Sequence, residues 1–146
     1  MKIIIANDHG GLHLKNLLVD YLKTSNSEIL NLGLDKNASV DYPDFAYSMS
    51  LEFKKNYFDF GILICGSGIG MSIAANRYVH IRAALCHDVT SSKLARLHNN
   101  ANIIVLGGRL IGSELAIECV NTFLSTKYEG GRHQNRINKL SNPPLI

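Results

Sequence analysis

Cys65 stands where an apolar run, Ile62-Leu63-Ile64, meets a turn carrying Gly66, Gly68 and Gly70, and mostly small or apolar residues follow through 71–76. This pattern places a thiol at the carboxyl end of a strand, directly before a helix N-terminus. Unbonded backbone N–H groups and the positive end of the helix dipole gather at such a point. It holds anions and lowers a cysteine pKa. The same few residues could therefore supply a base and stabilise a negative charge. Other reactive groups follow apolar runs in the same way: Asn7-Asp8-His9-Gly10, His87-Asp88 and Gly107-Gly108-Arg109. Arg132 and Arg136 are four apart. On a helix they share a face and could grip a phosphate or carboxylate with charge-assisted bonds.

Each feature also has a plainer reading. The glycines could form only a tight strand-to-helix turn. A nicotinamide site would need G-x-G-x-x-G, and the position for the last glycine is Met71. No Gly-Lys-Ser/Thr follows, which excludes a Walker A loop. Asp8 could be a helix N-cap followed by a solvent-facing His9. His9 and His13 are four apart beside Asp8, a spacing that imitates metal ligands. No further carboxylate or histidine joins them, so no metal is expected, and His13 reads as an exposed helix residue. Asn100 suits a helix C-terminus, where His98 would complement the dipole. Arg132 and Arg136 could be a solvated basic tail.

The elements that must position these groups alternate along the chain. Strands are expected at 2–6, 28–32, 60–65, 81–86 and 102–106, and helices at 11–24, 43–56, 69–77, 88–99 and 112–125. The unbroken apolar runs 62–65 and 103–106 read as strands covered on both faces. Leu14, Leu17, Leu18, Tyr21 and Leu22 make one helical stripe, and Leu115, Ala116, Cys119, Val120 and Phe123 another. The alternation predicts a doubly wound, Rossmann-like three-layer αβα fold on a five-stranded parallel sheet, one domain over 1–146. In such sheets ligands bind at the carboxyl ends of the strands, where Asp8, His9, Cys65 and Arg109 fall. The stretch 33–43 is a polar loop. The last 20 residues leave the alternation, with a Gly-Gly turn and a basic helix start at 128–136, and are expected to pack on a neighbouring subunit.

Composition narrows the function classes. The chain has 146 residues, 46% of them hydrophobic and 18% charged, ordinary for a globular domain with its own core. The net charge of +3 is too small to argue for nucleic acid, and no stripe of Lys/Arg with aromatics appears. No apolar run approaches the roughly 18 residues of a membrane span. The N-terminus enters a strand-like run with no room for a signal peptide, so a cytoplasmic location is expected. The cysteines, Cys65, Cys86 and Cys119, form no C-x-x-C pair, which argues against disulfides and structural zinc. Cys119 and Cys86 read as buried structural thiols.

Taken together, these residues resemble the type B ribose-5-phosphate isomerases and the related galactose-6-phosphate isomerase subunits, over essentially the whole chain. Asn7-Asp8-His9-Gly10 is similar to the family's D-H-x-G, Asp41-Tyr42-Pro43 to its D-Y-P, and 65–76 to its signature C-G-S/T-G-x-G-x-S-I-x-A-N. His98-Asn99 matches its H-N, Gly107-Gly108-Arg109 its G-x-R, and 128–136 its terminal phosphate segment. The resemblance implies an aldose–ketose isomerase that works through an enediolate without metal or cofactor. It implies a homodimer, or a tetramer, whose sites mix residues from two chains. Cys65 would be the carbon base, and the backbone N–H groups of Gly66, Ser67, Gly68, Ile69 and Gly70 would hold the enediolate oxygen. His98 would open the furanose ring, with Ser67 nearby. Asp8 and His9 would hold sugar hydroxyls, Asn99 a substrate oxygen, and Arg109, Arg132 and Arg136 the phosphate. Ser67 stands where Thr is frequent in the family. The runner-up substrates are galactose or allose 6-phosphate, and a non-catalytic phosphosugar-binding module is the remaining alternative. Cys65, Ser67 and His98 together speak against the module, since binding alone needs no carbon base.

Overall fold

A computed structural model describes residues 1–144. The chain runs β1 (Lys2–Asn7), a 3-10 turn (His9–Gly11), α1 (Leu12–Lys23), β2 (Glu28–Asn31), α2 (Tyr42–Lys55), β3 (Phe60–Cys65), α3 (Ile69–Ala75), β4 (Ala83–Leu85), α4 (Val89–Asn99), β5 (Ile103–Gly107), α5 (Ser113–Ser125) and α6 (Arg132–Ser141). The five strands form one parallel sheet in the order β2-β1-β3-β5-β4.

Strand pleating divides the core into two layers, because alternate side chains leave opposite faces. Ile3, Ile5, Ile62, Ile64, Ile104 and Leu106 face α1, α4 and α5, where Leu18, Ala95, Cys119, Val120 and Phe123 meet them. Ile4, Ala6, Leu63, Cys65, Ile103 and Val105 face α2 and α3, against Met49, Met71 and Ala75. Burying each such large apolar side chain contributes about 1.5–3 kcal/mol. The apolar runs in β3 and β5 are fully buried, as expected for strands covered on both faces.

The main departures lie at an edge. β4 spans Ala83–Leu85 instead of 81–86, because side chains replace sheet partners at its start. The Arg82 amide donates to Asn102 Oδ1 at 2.8 Å. Asn76 takes both backbone groups of Ala83, accepting its N–H at 2.9 Å and donating to its carbonyl at 2.8 Å. That role also ends α3 at Ala75, two residues short of the expected 77. α6 docks on α4 of its own chain through buried His133 and Ile137, while Leu140 stays exposed.

Candidate active site

Sheet order puts the ends of β1, β3 and β5 side by side, and their loops lock together through the backbone. The Asp8 amide donates to the Ile64 carbonyl at 3.1 Å, and the Gly108 and Arg109 amides donate to the carbonyls of Cys65 (2.8 Å) and Gly66 (3.0 Å). A Cβ on Gly10 would lie 2.8 Å from the Gly66 nitrogen, so the first loop reaches the glycine turn only without a side chain there. Gly68 adopts the left-handed region at φ 78°, and this turns the chain into α3. Its amide donates to Cys65 Sγ at 3.1 Å, which orients the thiol under the turn. The Ile69 amide donates to Ser67 Oγ at 3.3 Å. The Gly68 cap offers no side chain, so beyond Ile69 the first amides of α3 are left for an external acceptor.

The remaining groups at this edge surround the turn. Asp8 Oδ1 accepts the amides of Gly10 (2.8 Å) and Gly11 (3.2 Å), so the capping reading holds for that oxygen. No hydrogen bond engages Oδ2 among the described residues, and it is left for a ligand. His9 Nδ1 faces the Val40 amide at 3.5 Å, which leaves Nε2 as the outward nitrogen. The Arg109 guanidinium lies over Gly66: a Cβ there would be 3.3 Å from Nη1. Two groups given no role from the sequence stand here too, although His87 was expected at the end of a strand. The Tyr42 ring packs against Gly70, and the Asp41-Tyr42-Pro43 motif was its only signal. His87 Nε2 is buried without a partner, beside Gly107 and the Ser67 carbonyl.

The other expected residues assemble at the opposite edge of the sheet. α4 leaves the carboxyl end of β4 and returns to the start of β5, carrying His98 and Asn99 with it. Ile103 pairs with Gly61 and Gly107 with Cys65. Four residues of strand therefore separate the two edges, roughly 13 Å. Asn100 ends α4 in the left-handed region at φ 45°. Its carbonyl accepts Arg82 Nε at 2.9 Å and its Oδ1 accepts Arg96 Nη1 at 2.9 Å. Arg96 in turn lies over the Phe60 ring at 4.7 Å. The Glu129 amide donates to the Leu97 carbonyl at 3.0 Å, docking the terminal segment on α4. The His98 and His133 rings stack at 4.4 Å, and Arg132 and Arg136 open α6 alongside. Burial, and then His98, push the His133 imidazole below its ordinary value. Glu129 and His133 escaped the sequence reading, although their i,i+4 spacing was a signal. His9 and His13 recruit no third ligand; His98, Glu129 and His133 form the one cluster of metal-ligating groups among the described residues.

Cys86 and Cys119 are buried in the core, and desolvation pushes both thiols up, which leaves them inert at neutral pH. Cys65 is the thiol placed at the turn. The carboxyl edge thus combines a cysteine sulfur, turn amides and a guanidinium. That set suits removal of a carbon-bound proton with capture of the resulting oxyanion.

The profile of the family described as Ribose/Galactose Isomerase matches residues 3–140. The chain is 40% identical over 140 residues to ribose-5-phosphate isomerase B of Escherichia coli K12, covering 96% of this chain and 94% of that one. A crystal structure of a ribose 5-phosphate isomerase from Thermotoga maritima superposes with a TM-score of 0.94 at 54% identity, covering 96% and 97% of the two chains. The ribose-5-phosphate isomerase B of Mycoplasma genitalium, solved with bound ribulose-5-phosphate, superposes with a TM-score of 0.91 at 43% identity, covering 96% and 93%.

Proposed function

The chain belongs to the ribose/galactose isomerase family, and from that premise we infer that it interconverts ribose 5-phosphate and ribulose 5-phosphate. The observation that carries the chemistry is Cys65 Sγ held under the Gly68 amide at the head of an uncapped helix. Moving a carbonyl from C1 to C2 takes a proton from one carbon and returns it to the next, which one base on one face can do. Cys65 serves as that base. The amides of 66–70 hold the enediolate oxygen, and losing one such donor costs about 3–4 kcal/mol. Asp8 Oδ2 and His9 Nε2 take sugar hydroxyls. The phosphate is a remote handle whose binding energy positions the reacting carbons.

His98 opens the furanose ring, with Asn99 beside it, and Arg132 and Arg136 join Arg109 on the phosphate. Within one chain these groups sit at the wrong edge of the sheet. The complete site is therefore built by two copies, His98, Asn99, Arg132 and Arg136 of one closing over Cys65 of the other. A groove supports this reading. A cavity of about 600 Å³ runs along the unpaired edge of β4, lined by Tyr78, Leu85, Leu94 and Leu140, and it reaches Asn99. Val79 and Leu140 are exposed beside it, an apolar surface that suits a second copy in a dimer or tetramer. Three unpaired thiols suit a reducing cytoplasm.

Ribose 5-phosphate is the preferred aldose over hexose 6-phosphates. One extra carbon would misplace the reacting atoms by roughly an ångström, which can cost about 100-fold. A coupled assay of purified protein across aldose phosphates, with and without chelator, tests the assignment. It expects turnover of ribose 5-phosphate that survives chelation. Comparable kcat/KM on galactose or allose 6-phosphate would defeat the pentose choice.

A further inference from the structure

We propose that His98, Glu129 and His133 bind a divalent transition-metal ion of the zinc class, and that the bound ion inhibits the enzyme. The inhibitory half rests on the reading of His98 as the ring-opening group; the binding half does not. Two imidazole nitrogens and one carboxylate oxygen, with a water in fourth place, form a donor set that zinc accepts. His98 Nε2 lies 3.9 Å and His133 Nε2 3.7 Å from the same Glu129 Oε2, and all three ligand atoms fall within 4.8 Å of one another. A tetrahedral ion with bonds of about 2.0–2.2 Å needs ligand atoms roughly 3.3–3.5 Å apart. The carboxylate must therefore close by a few tenths of an ångström on each ring, and the two ring nitrogens, within 4.8 Å of each other, by up to about 1.5 Å.

His133 supplies the second observation. It is 4% exposed, and its Nε2 points at Glu129 with no hydrogen-bond partner. A buried polar atom without a partner is destabilising, and an ion would relieve that cost. The rings are nearly parallel, at 13°, so their lone pairs do not yet converge. His98 is the one that must turn: its side chain is 36% exposed, on the last turn of α4. Arg132 and Arg136 oppose a cation, which holds affinity below that of structural zinc. An ion on His98 Nε2 occupies the lone pair that ring opening needs.

The test uses the whole chain, stripped with chelator and titrated with Co²⁺ as the probe. Visible bands of a four-coordinate ion should saturate at one ion per chain. Glu129→Gln, half-exposed and outside the catalytic machinery, should weaken binding by at least about tenfold, because loss of a ligand costs no less than loss of its supporting partner. His133→Asn should do the same. Zn²⁺ should then remove most ribose 5-phosphate turnover in the unsubstituted enzyme, reversibly with chelator, and spare Glu129→Gln. Absence of the bands overturns the site. Intense near-ultraviolet thiolate absorption that survives Glu129→Gln overturns it too, by placing the ion on Cys65. Binding without inhibition overturns the inhibitory half. Co²⁺ binding lost in Glu129→Gln, by a protein that turns over no sugar phosphate, upholds the site and defeats the functional reading.

Discussion

In the proposed mechanism Cys65 and His98 divide the chemistry, and their substitutions should fail differently. Cys65→Ala removes the sulfur under the Gly68 amide and leaves the turn intact. Turnover should fall about 10²–10⁴-fold, the usual worth of a positioned base, with ribulose 5-phosphate binding retained. Calorimetry of binding beside a rate assay checks this, and near-normal turnover in Cys65→Ala would remove the cysteine from the mechanism. His98→Asn should depress turnover of the cyclic aldose far more than that of a four-carbon aldose phosphate, which cannot close the furanose ring. Equal losses would instead place His98 in the common proton transfer. Cys65 was legible because a strand, a glycine turn and a helix are all visible in the order of residues. His87 was placed at the end of a strand, but its approach to Gly107, like that of Tyr42 to Gly70, was not legible, because sequence spacing carries no such distance.

At the scale of elements, two anchors hold the site's outer parts in place. Asn100 closes α4 in the left-handed region, where a β-branched residue is strained. Asn100→Val should cost about 1–3 kcal/mol in urea unfolding and lower turnover by releasing the turn that carries His98. A fully stable, fully active variant would detach that cap from the site. The second anchor is Lys15, buried in α1, whose Nζ donates to Asp35 at 2.6 Å. It ties down the 33–41 loop that brings the Val40 amide to His9. The hydrogen bond from Lys15 holds the Asp35 carboxyl below its ordinary value, helped by Asn31. A depressed carboxylate contributes stability above its unfolded pKa, near 4, and loses it as pH falls through the folded value. Asp35 is largely exposed and screened, so Asp35→Asn should cost about 1 kcal/mol at pH 7 and less at pH 3. Unfolding midpoints at the two values check the sign; a gap that widens in acid would reverse it. The order and type of the five strands and five main helices followed from periodicity. β4 came out shorter because Asn76 and Asn102 take its backbone partners, a long-range substitution with no local pattern.

At the scale of the whole molecule, the proposed shared site explains how one chain can carry every group and still need a second copy. All the groups of an isomerase are present in the sequence. The topology still places Cys65 at the carboxyl edge and His98, Asn99, Arg132 and Arg136 at the amino edge, roughly 13 Å away along β5. Alternation along the chain gives the fold class but says nothing about which edge a helix end reaches. The family likeness, with the detached basic tail beside it, suggested a shared site, and the separation of the two edges supplies a physical reason for proposing it. The most direct test mixes two chains. Cys65→Ala and His98→Asn proteins, each nearly inactive, are unfolded and refolded together at equal amounts, and light scattering confirms at least a dimer. Random pairing makes half the dimers mixed, and each of these holds one site with both native groups, so ribose 5-phosphate turnover should recover to about a quarter of normal. A mixture no more active than its parents would contradict the shared site.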